Sequence, residues 1–330
     1  MNDSCDADSM WRKSCFIMRL ISSCVHVSES AGNIIKGVIE NGNLGLVNKG
    51  SATSFDPQTE ADRASQCCII HSLQNKFGRQ LTVIGEEDDP CATPVIDTGF
   101  SAAVLKYDSM CLEEYRNIEP NEVVVWADPL DGTFEFSEAA KTGSSLLQSV
   151  TVLIGIAVKG KAVAGIIHQP FWGDQKKGRT IWGLAGIGVH GIDVVQDNSR
   201  KVVVTTRSHS NKSVTHAIDA LKNQGLADEV ESVGGAGYKV IRCLEGAAAY
   251  VFASPGCKKW DTAAPEAVLV AAGGKLTDIS GRTLYYGADA QIINSGGVLA
   301  TPRWINHDEY VNSIPNDVKN SLPEFMAVDR

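Results

Sequence analysis

No apolar run in this chain is both uncharged and long enough to cross a bilayer as a helix, which argues against a membrane anchor. At the N-terminus Asp3, Asp6 and Asp8 precede an apolar stretch that Arg19 interrupts, a pattern of neither a secretory signal nor a transit peptide. Blocks of lysine and arginine are also missing, and the formal net charge is −9. A nucleic-acid polymer or an anionic membrane is therefore not the expected partner. An acidic protein can still bind phosphates where metal ions reverse the local sign. Repeats and low-complexity segments are absent. The nine cysteines include no pair at zinc-type spacing, and adjacent Cys67 and Cys68 read as core filling on a helix. Free thiols in a reducing, cytoplasmic compartment are the expectation.

What is present is a soluble-type composition over 330 residues, enough for two subdomains. Apolar residues recur at helical intervals across residues 10–41. Asp56-Pro57 reads as a helix start, with the helix continuing through Ala61, Ile70, Leu73 and Phe77. Leu81–Ile84 is a short strand feeding the acidic loop Gly85-Glu86-Glu87-Asp88-Asp89, and residues 90–121 read as a surface excursion. Lys159-Gly160-Lys161 marks a hairpin between two strands. Glycine-rich Gly183–Gly191 suggests the connection between halves. Beyond it, strands and helices alternate: Val202–Thr206, a helix near 211–224, Gly237–Leu244, Ala248–Ala253, Asp261–Ala271 and Lys275–Ile279. The first half thus reads as α+β and the second as α/β.

The most informative stretch is Trp126-Ala127-Asp128-Pro129-Leu130-Asp131-Gly132-Thr133. It places two acids three residues apart at the exit of a very apolar strand. Buried acids without a basic neighbour are costly unless something cationic sits there. Pro129 and Gly132 bend the chain, so both carboxylates and a backbone carbonyl can face one point. A hard divalent cation such as magnesium takes that donor set; an Asx turn is the structural alternative. Three further acids recur at strand ends or helix starts: Asp56, Glu86 and Asp261. For Asp56 and Asp261 simple N-capping stands as the alternative, and for Glu86 a solvated loop.

Taken in order, these residues carry a resemblance. Gly85-Glu86-Glu87, the Asp128–Thr133 block and Trp260-Asp261 resemble the three signature blocks of the lithium-sensitive, magnesium-dependent phosphomonoesterases, a superfamily that includes inositol monophosphatase and fructose bisphosphatase. Within it, Thr151–Gly155, Gly178–Gly183, Thr205–Lys212, Gly234–Gly237 and Ala249–Asp261 are similar to the animal-type bisphosphate nucleotidases, over about Met18 to Pro323. The resemblance implies an αβαβα layered sandwich, with a metal-binding subdomain over 1–182 and a nucleotide-recognition subdomain over 183–330. It implies two or three Mg2+ ions: one on Glu86, Asp128 and the Leu130 carbonyl, a second on Asp128, Asp131 and Asp261. Li+ is the implied inhibitor. Thr133, hydrogen-bonded to Asp56, would activate the attacking water. Gly132 and Thr133 at a helix start, with Asp261, would cradle the reacting phosphate. Ser208, His209 and Lys239 would hold the second phosphate, and Gly235 would let the backbone approach the nucleotide. The implied substrate is the small molecule adenosine 3′,5′-bisphosphate, with 3′-phosphoadenosine 5′-phosphosulfate as an analogue and a monomer as the working form. Inositol 1,4-bisphosphate is the alternative substrate, and a non-catalytic nucleotide sensor the alternative class. Phe134 departs from the polar residue usual in the family, residues 139–149 are longer, Ser149 replaces an asparagine, and Ser54–Pro57 carries one extra residue and a proline.

Overall fold

The structure is a computed structural model that describes residues 2–50, 56–87, 91, 94–173, 175–197 and 199–326. Ser54, Phe55, Asp88 and Asp89 lie outside the described residues.

Two helices open the chain: α2 (Phe16–Glu40) lies where the helical periodicity predicts it, and α1 (Asn2–Lys13) mostly precedes that stretch. A two-residue ladder, β1 (Val47–Asn48) with β2 (Pro57–Gln58), precedes α3 (Glu60–Phe77). Asp56-Pro57 is therefore not the helix start. The Thr59 and Asp62 side chains form a capping box that fixes it one turn later, and Pro57 lies in the ladder. Next come β3 (Thr82–Gly85), two single-turn helices α4 (Ala102–Leu105) and α5 (Glu113–Arg116), and the central strand β4 (Val123–Asp131). Helix α6 (Thr133–Thr142) follows directly, then β5 (Thr151–Val158), β6 (Lys161–Gln169), β7 (Arg179–Leu184) and β8 (Gly188–His190). These form a six-stranded sheet in the order β3-β4-β5-β6-β7-β8, parallel only at β3–β4. Gly183–Gly191 is thus the last hairpin of this sheet and not a link between halves.

The second sheet collects β9 (Val202–Thr206), β10 (Glu229–Val233), β11 (Ala249–Phe252), β12 (Lys275–Thr277) and β13 (Val298–Thr301) in the order β10-β9-β11-β13-β12. Helices α7 (Lys212–Asn223), α8 (Ala236–Leu244), α9 (Lys259–Ala271), α10 (His307–Ser313) and α11 (Asn316–Asn320) complete the chain. Helices α2 and α3 cover one face of the first sheet, α8 and α9 lie between the sheets, and α7 and α10 cover the far side. The five layers are the expected αβαβα sandwich.

One glycine row positions the site. Gly155, Gly165 and Gly183 are neighbours across β5, β6 and β7. A Cβ on any of them would lie within 3 Å of Ala263, Ala264 or Ala271 of α9. The row forms a groove that lets α9 press against the sheet and brings Asp261, in its first turn, towards the end of β4. Trp126, Trp260 and Tyr286 seal this contact as a small buried cluster, and the Trp126 indole donates to the Tyr286 carbonyl at 3.0 Å. Among the described residues, no helix is long and apolar enough to cross a membrane.

Candidate active site

Strand β4 changes register between Asp128 and Asp131, so the chain leaves the ladder where the sequence places Pro129. The Asp128 carboxylate accepts from the Leu130 amide at 3.0 Å, closing the turn, and is only 2 % exposed. Gly132 then takes φ +91°, a left-handed geometry that glycine adopts without strain, and α6 starts at Thr133. Asp131 is buried and accepts three hydrogen bonds: from the Thr151 hydroxyl at 2.7 Å and from the Ala236 and Gly237 amides at 2.8 Å each. It therefore ties the first sheet to the N-terminus of α8.

Glu86 enters from the end of β3, where Lys49 donates to it at 3.1 Å and to Glu87 at 2.8 Å. Glu87 also accepts from Gln58, and its backbone is bracketed by the Gln66 amide of α3. Asp261 accepts from the Lys258 amide at 2.7 Å in the first turn of α9. Glu86, Asp128, Asp131 and Asp261 line one cavity of about 850 Å³. Asp56, Glu86, Asp128, Leu130, Asp131, Gly132, Thr133, Ser208, His209, Gly235, Lys239 and Asp261, every residue singled out from the sequence, line it together.

Their contacts differ from expectation at four points. The Thr133 hydroxyl lies 3.0 Å from Asp62 and 3.0 Å from the Leu130 carbonyl, so its acidic partner is Asp62, not Asp56. Asp56 is exposed at the rim. The capping box explains the difference, because it holds the α3 N-terminus beside α6 and aims Asp62 inward. Asp62 was legible as the last residue of Thr59-Glu60-Ala61-Asp62, a capping-box pattern with aspartate in the acid position. Second, the Ala236 and Gly237 amides of the Gly234–Gly237 turn are taken by Asp131, and a Cβ on Gly235, whose φ is +69°, would press on the Ser149 carbonyl and Asp131. This glycine serves a close approach within the protein. Third, Lys259, which beside Lys258 and close to Asp261 reads from sequence as a solvated face, is buried and donates to Asn294. Fourth, the thiols are not all free: Cys67 and Cys91 are joined as a disulfide, although Cys68 is core filling as expected.

The opposite wall is basic. Lys239 is buried, donates to the Gly235 carbonyl at 2.9 Å and lies over the Tyr250 ring. Burial pulls its pKa down, with Asp131 opposing that shift. His209, exposed at the mouth of the cavity, shares a hydrogen bond with Ser208 at 2.8 Å, and partial desolvation together with Lys239 lowers its pKa, which favours the neutral ring. Arg207 pairs with Glu138 at 3.1 Å and lies over the Phe134 ring, with Glu135 3.6 Å away.

The acids behave as one charged cluster. Burial, then Glu86, Asp131 and Asp261, push the Asp128 pKa well up. Burial and Glu86 push Asp261 to about 7, and burial pushes Asp62 to about 7. Each carboxyl therefore holds its proton longer when folded than when unfolded. Such a group loses stability for the fold as pH rises from about 4 to about 7. The donors are all oxygen and their excess negative charge is buried, which fits hard divalent cations. Added Mg2+ is accordingly expected to raise the urea midpoint more at pH 8 than at pH 5.5. Equal shifts at the two pH values would rule out this carboxylate cluster as the cation site.

The sequence pattern of the inositol monophosphatase family matches residues 19–318. The 3′(2′),5′-bisphosphate nucleotidase 1 of Homo sapiens is 48 % identical over 93 % of this chain and 97 % of its own length. The protein of the same name from Dictyostelium discoideum is 37 % identical over 91 % and 97 %. In structure, the extragenic suppressor protein suhB of Bartonella henselae superimposes with a TM-score of 0.63 at 18 % identity, covering 90 % of this chain and 98 % of its own.

Proposed function

The chain belongs to the inositol monophosphatase family, and from that premise we propose that its cavity removes the 3′-phosphate of adenosine 3′,5′-bisphosphate, giving AMP and inorganic phosphate. One observation carries this reading: a single cavity has a buried acidic wall of Glu86, Asp128, Asp131 and Asp261 and a basic wall of Arg207 and Lys239. The acidic wall suits a phosphate brought with cations, and the basic wall a second phosphate without them. The sequence likeness to the human nucleotidase supports the same choice. 3′-Phosphoadenosine 5′-phosphosulfate and 2′,5′-bisphosphates fit the same two-ended recognition.

Glu86, Asp128, the Leu130 carbonyl, Asp131 and Asp261 would hold two or three magnesium ions. When bound, those ions neutralise phosphate charge and acidify a water molecule. Asp62 and Thr133 handle the proton: an Asp62 carboxyl near neutrality accepts it through the Thr133 hydroxyl. The α6 N-terminus, whose N-cap Gly132 and first residues Thr133 and Phe134 line the cavity, would turn its positive end to the reacting phosphate. Neutral His209, Ser208 and Lys239 supply donors for the 5′-phosphate end. The same reading places the enzyme in the cytoplasm, working as a monomer on a small molecule, with neither a nucleic-acid polymer nor a membrane as partner.

Phosphate release by the purified protein in Mg2+ tests the proposal, with adenosine 3′,5′-bisphosphate compared with inositol 1,4-bisphosphate. Both compounds carry two phosphates, so the comparison turns on the nucleoside: the nucleotide is expected to have the higher kcat/KM by at least about tenfold, in line with the likeness to the human nucleotidase, and Li+ in the same assay is expected to slow release. Release from the inositol compound alone would overturn the nucleotide assignment. Binding of the nucleotide without any release would mark a sensor.

A further inference from the structure

Outside the active-site cavity, one cluster combines donors that the phosphatase chemistry does not use. Cys67 and His71 stand one helical turn apart on α3, so both side chains leave the same face. Cys91 comes from the stretch that follows Glu86 and Glu87. The two sulfurs and a ring nitrogen of His71 all lie within 4.8 Å of one another. Cys67 is buried, and His71 and Cys91 are half-buried. The sequence shows no zinc-type spacing because two donors come from a helix and the third from a distant loop.

We propose that Cys67, His71 and Cys91, once the disulfide is reduced, form a binding site for a thiophilic divalent cation of the zinc type. The donor set is two thiolates and an imidazole, which select borderline cations over magnesium. Donors on a tetrahedral zinc lie roughly 3.5–3.8 Å apart, from its usual bond lengths. Cys67 Sγ is already 4.0 Å from His71 Nδ1, so small side-chain adjustments close the site. His71 Nδ1 lies 3.1 Å from the Cys67 carbonyl; coordination through Nδ1 moves the ring proton to Nε2. Two thiol protons leave on binding, and their two negative charges neutralise the cation, which suits a half-buried position. Three protein donors leave the fourth position to water.

The disulfide and the cation are alternative cross-links between the same two segments. Gln66, beside Cys67, already holds the Glu87 backbone from both sides. A cation at Cys67, His71 and Cys91 would brace the same loop, which carries Glu86, a second time. The active-site acids and this cluster would thus sort cations by hardness, magnesium to oxygen and zinc to sulfur.

The test uses the full chain and a readout independent of phosphatase activity. A trialkylphosphine reduces the disulfide: the S–S bond breaks, water supplies the two thiol hydrogens, and its oxygen leaves as phosphine oxide. After the phosphine is removed anaerobically, the protein is titrated with Co2+ in saturating Mg2+, which fills the oxygen sites. A thiolate-to-cobalt charge-transfer band is expected, saturating at a single equivalent and abolished by Zn2+. Cys91→Ser and His71→Ala are expected to weaken Co2+ binding by at least about tenfold, while their Mg2+-dependent phosphate release stays as in the wild type. Unreduced protein is expected to give no band. The absence of a band from reduced wild type overturns the proposal, as does an undiminished band in Cys91→Ser, which would place the cation on other thiols.

Discussion

Asp128→Asn is expected to lower kcat/KM by at least about 10³-fold at saturating Mg2+, since it removes charge where a phosphoryl transition state is stabilised. Asp128 is 2 % exposed and faces Glu86, Asp131 and Asp261, which push its pKa well above the ordinary carboxylate value. Asparagine keeps the shape, and its side-chain oxygen can still accept the Leu130 amide, so the turn after β4 survives. What is lost is one negative charge of the cluster. Cation-free stability should therefore hold or rise, because like-charge repulsion is relieved, while the rise in urea midpoint on adding Mg2+ shrinks. A residue needed only for folding would show the reverse, a lower cation-free midpoint with the magnesium response intact. If more than about a tenth of the activity remains, the sharing of Asp128 between two cations is wrong.

That expectation rests on residues whose arrangement was largely readable from sequence. The bend after β4 follows from Pro129 and Gly132, and the αβαβα layering from the alternation of elements with the family signatures. All twelve residues singled out beforehand line one cavity. Contacts across the fold were less legible. That Asp131 accepts the Ala236 and Gly237 amides depends on α8 docking against the first sheet, and no local pattern near Asp131 encodes it. The role of Lys49 as the cation on Glu86 and Glu87 likewise arises from a two-residue ladder, β1–β2, too short to leave a periodic signal. The Cys67–Cys91 link joins a helix to a loop and has no spacing rule. Gly183–Gly191 misled for a different reason: glycine marks close packing under α9 as well as flexible links, and only the sheet register separates the two. Asp56 misled because Asp-Pro is a common helix start, and the competing capping box lies only one turn away.

Asp62→Asn is expected to lower kcat by about 10²- to 10⁴-fold with KM little changed, the range for loss of a general base. Asp56→Asn is expected to stay within about threefold of wild type. The two acids lie close in sequence but differ in environment. Asp62 is 1 % exposed, with one oxygen held by the Thr59 amide at 2.8 Å and by its hydroxyl, and the other 3.0 Å from the Thr133 hydroxyl. Asp56 is exposed and contributes its backbone amide, which donates to Asn48 at 2.8 Å. One hydroxyl hydrogen on Thr133 cannot serve Asp62 and the Leu130 carbonyl together. Ionised Asp62 draws that hydrogen, and protonated Asp62 becomes the donor, releasing it to Leu130. A relay of this kind needs an acid that titrates near neutrality, and burial places Asp62 at about 7, with cations on Glu86 pulling it lower. The activity of the wild type should therefore fall on the acid side as Asp62 protonates. Asp62→Asn should lose that limb, whereas Asp56→Asn should retain it. Thr133→Ser keeps the hydroxyl and should stay active; Thr133→Ala should fall with Asp62→Asn, and the double variant should be no worse than either alone, because the two residues act as a unit. Losing a capping contact costs about 1 kcal/mol, so Asp62→Asn stays folded and its rate can be read directly. A full loss in Asp56→Asn with an active Asp62→Asn would return the water-activating role to Asp56.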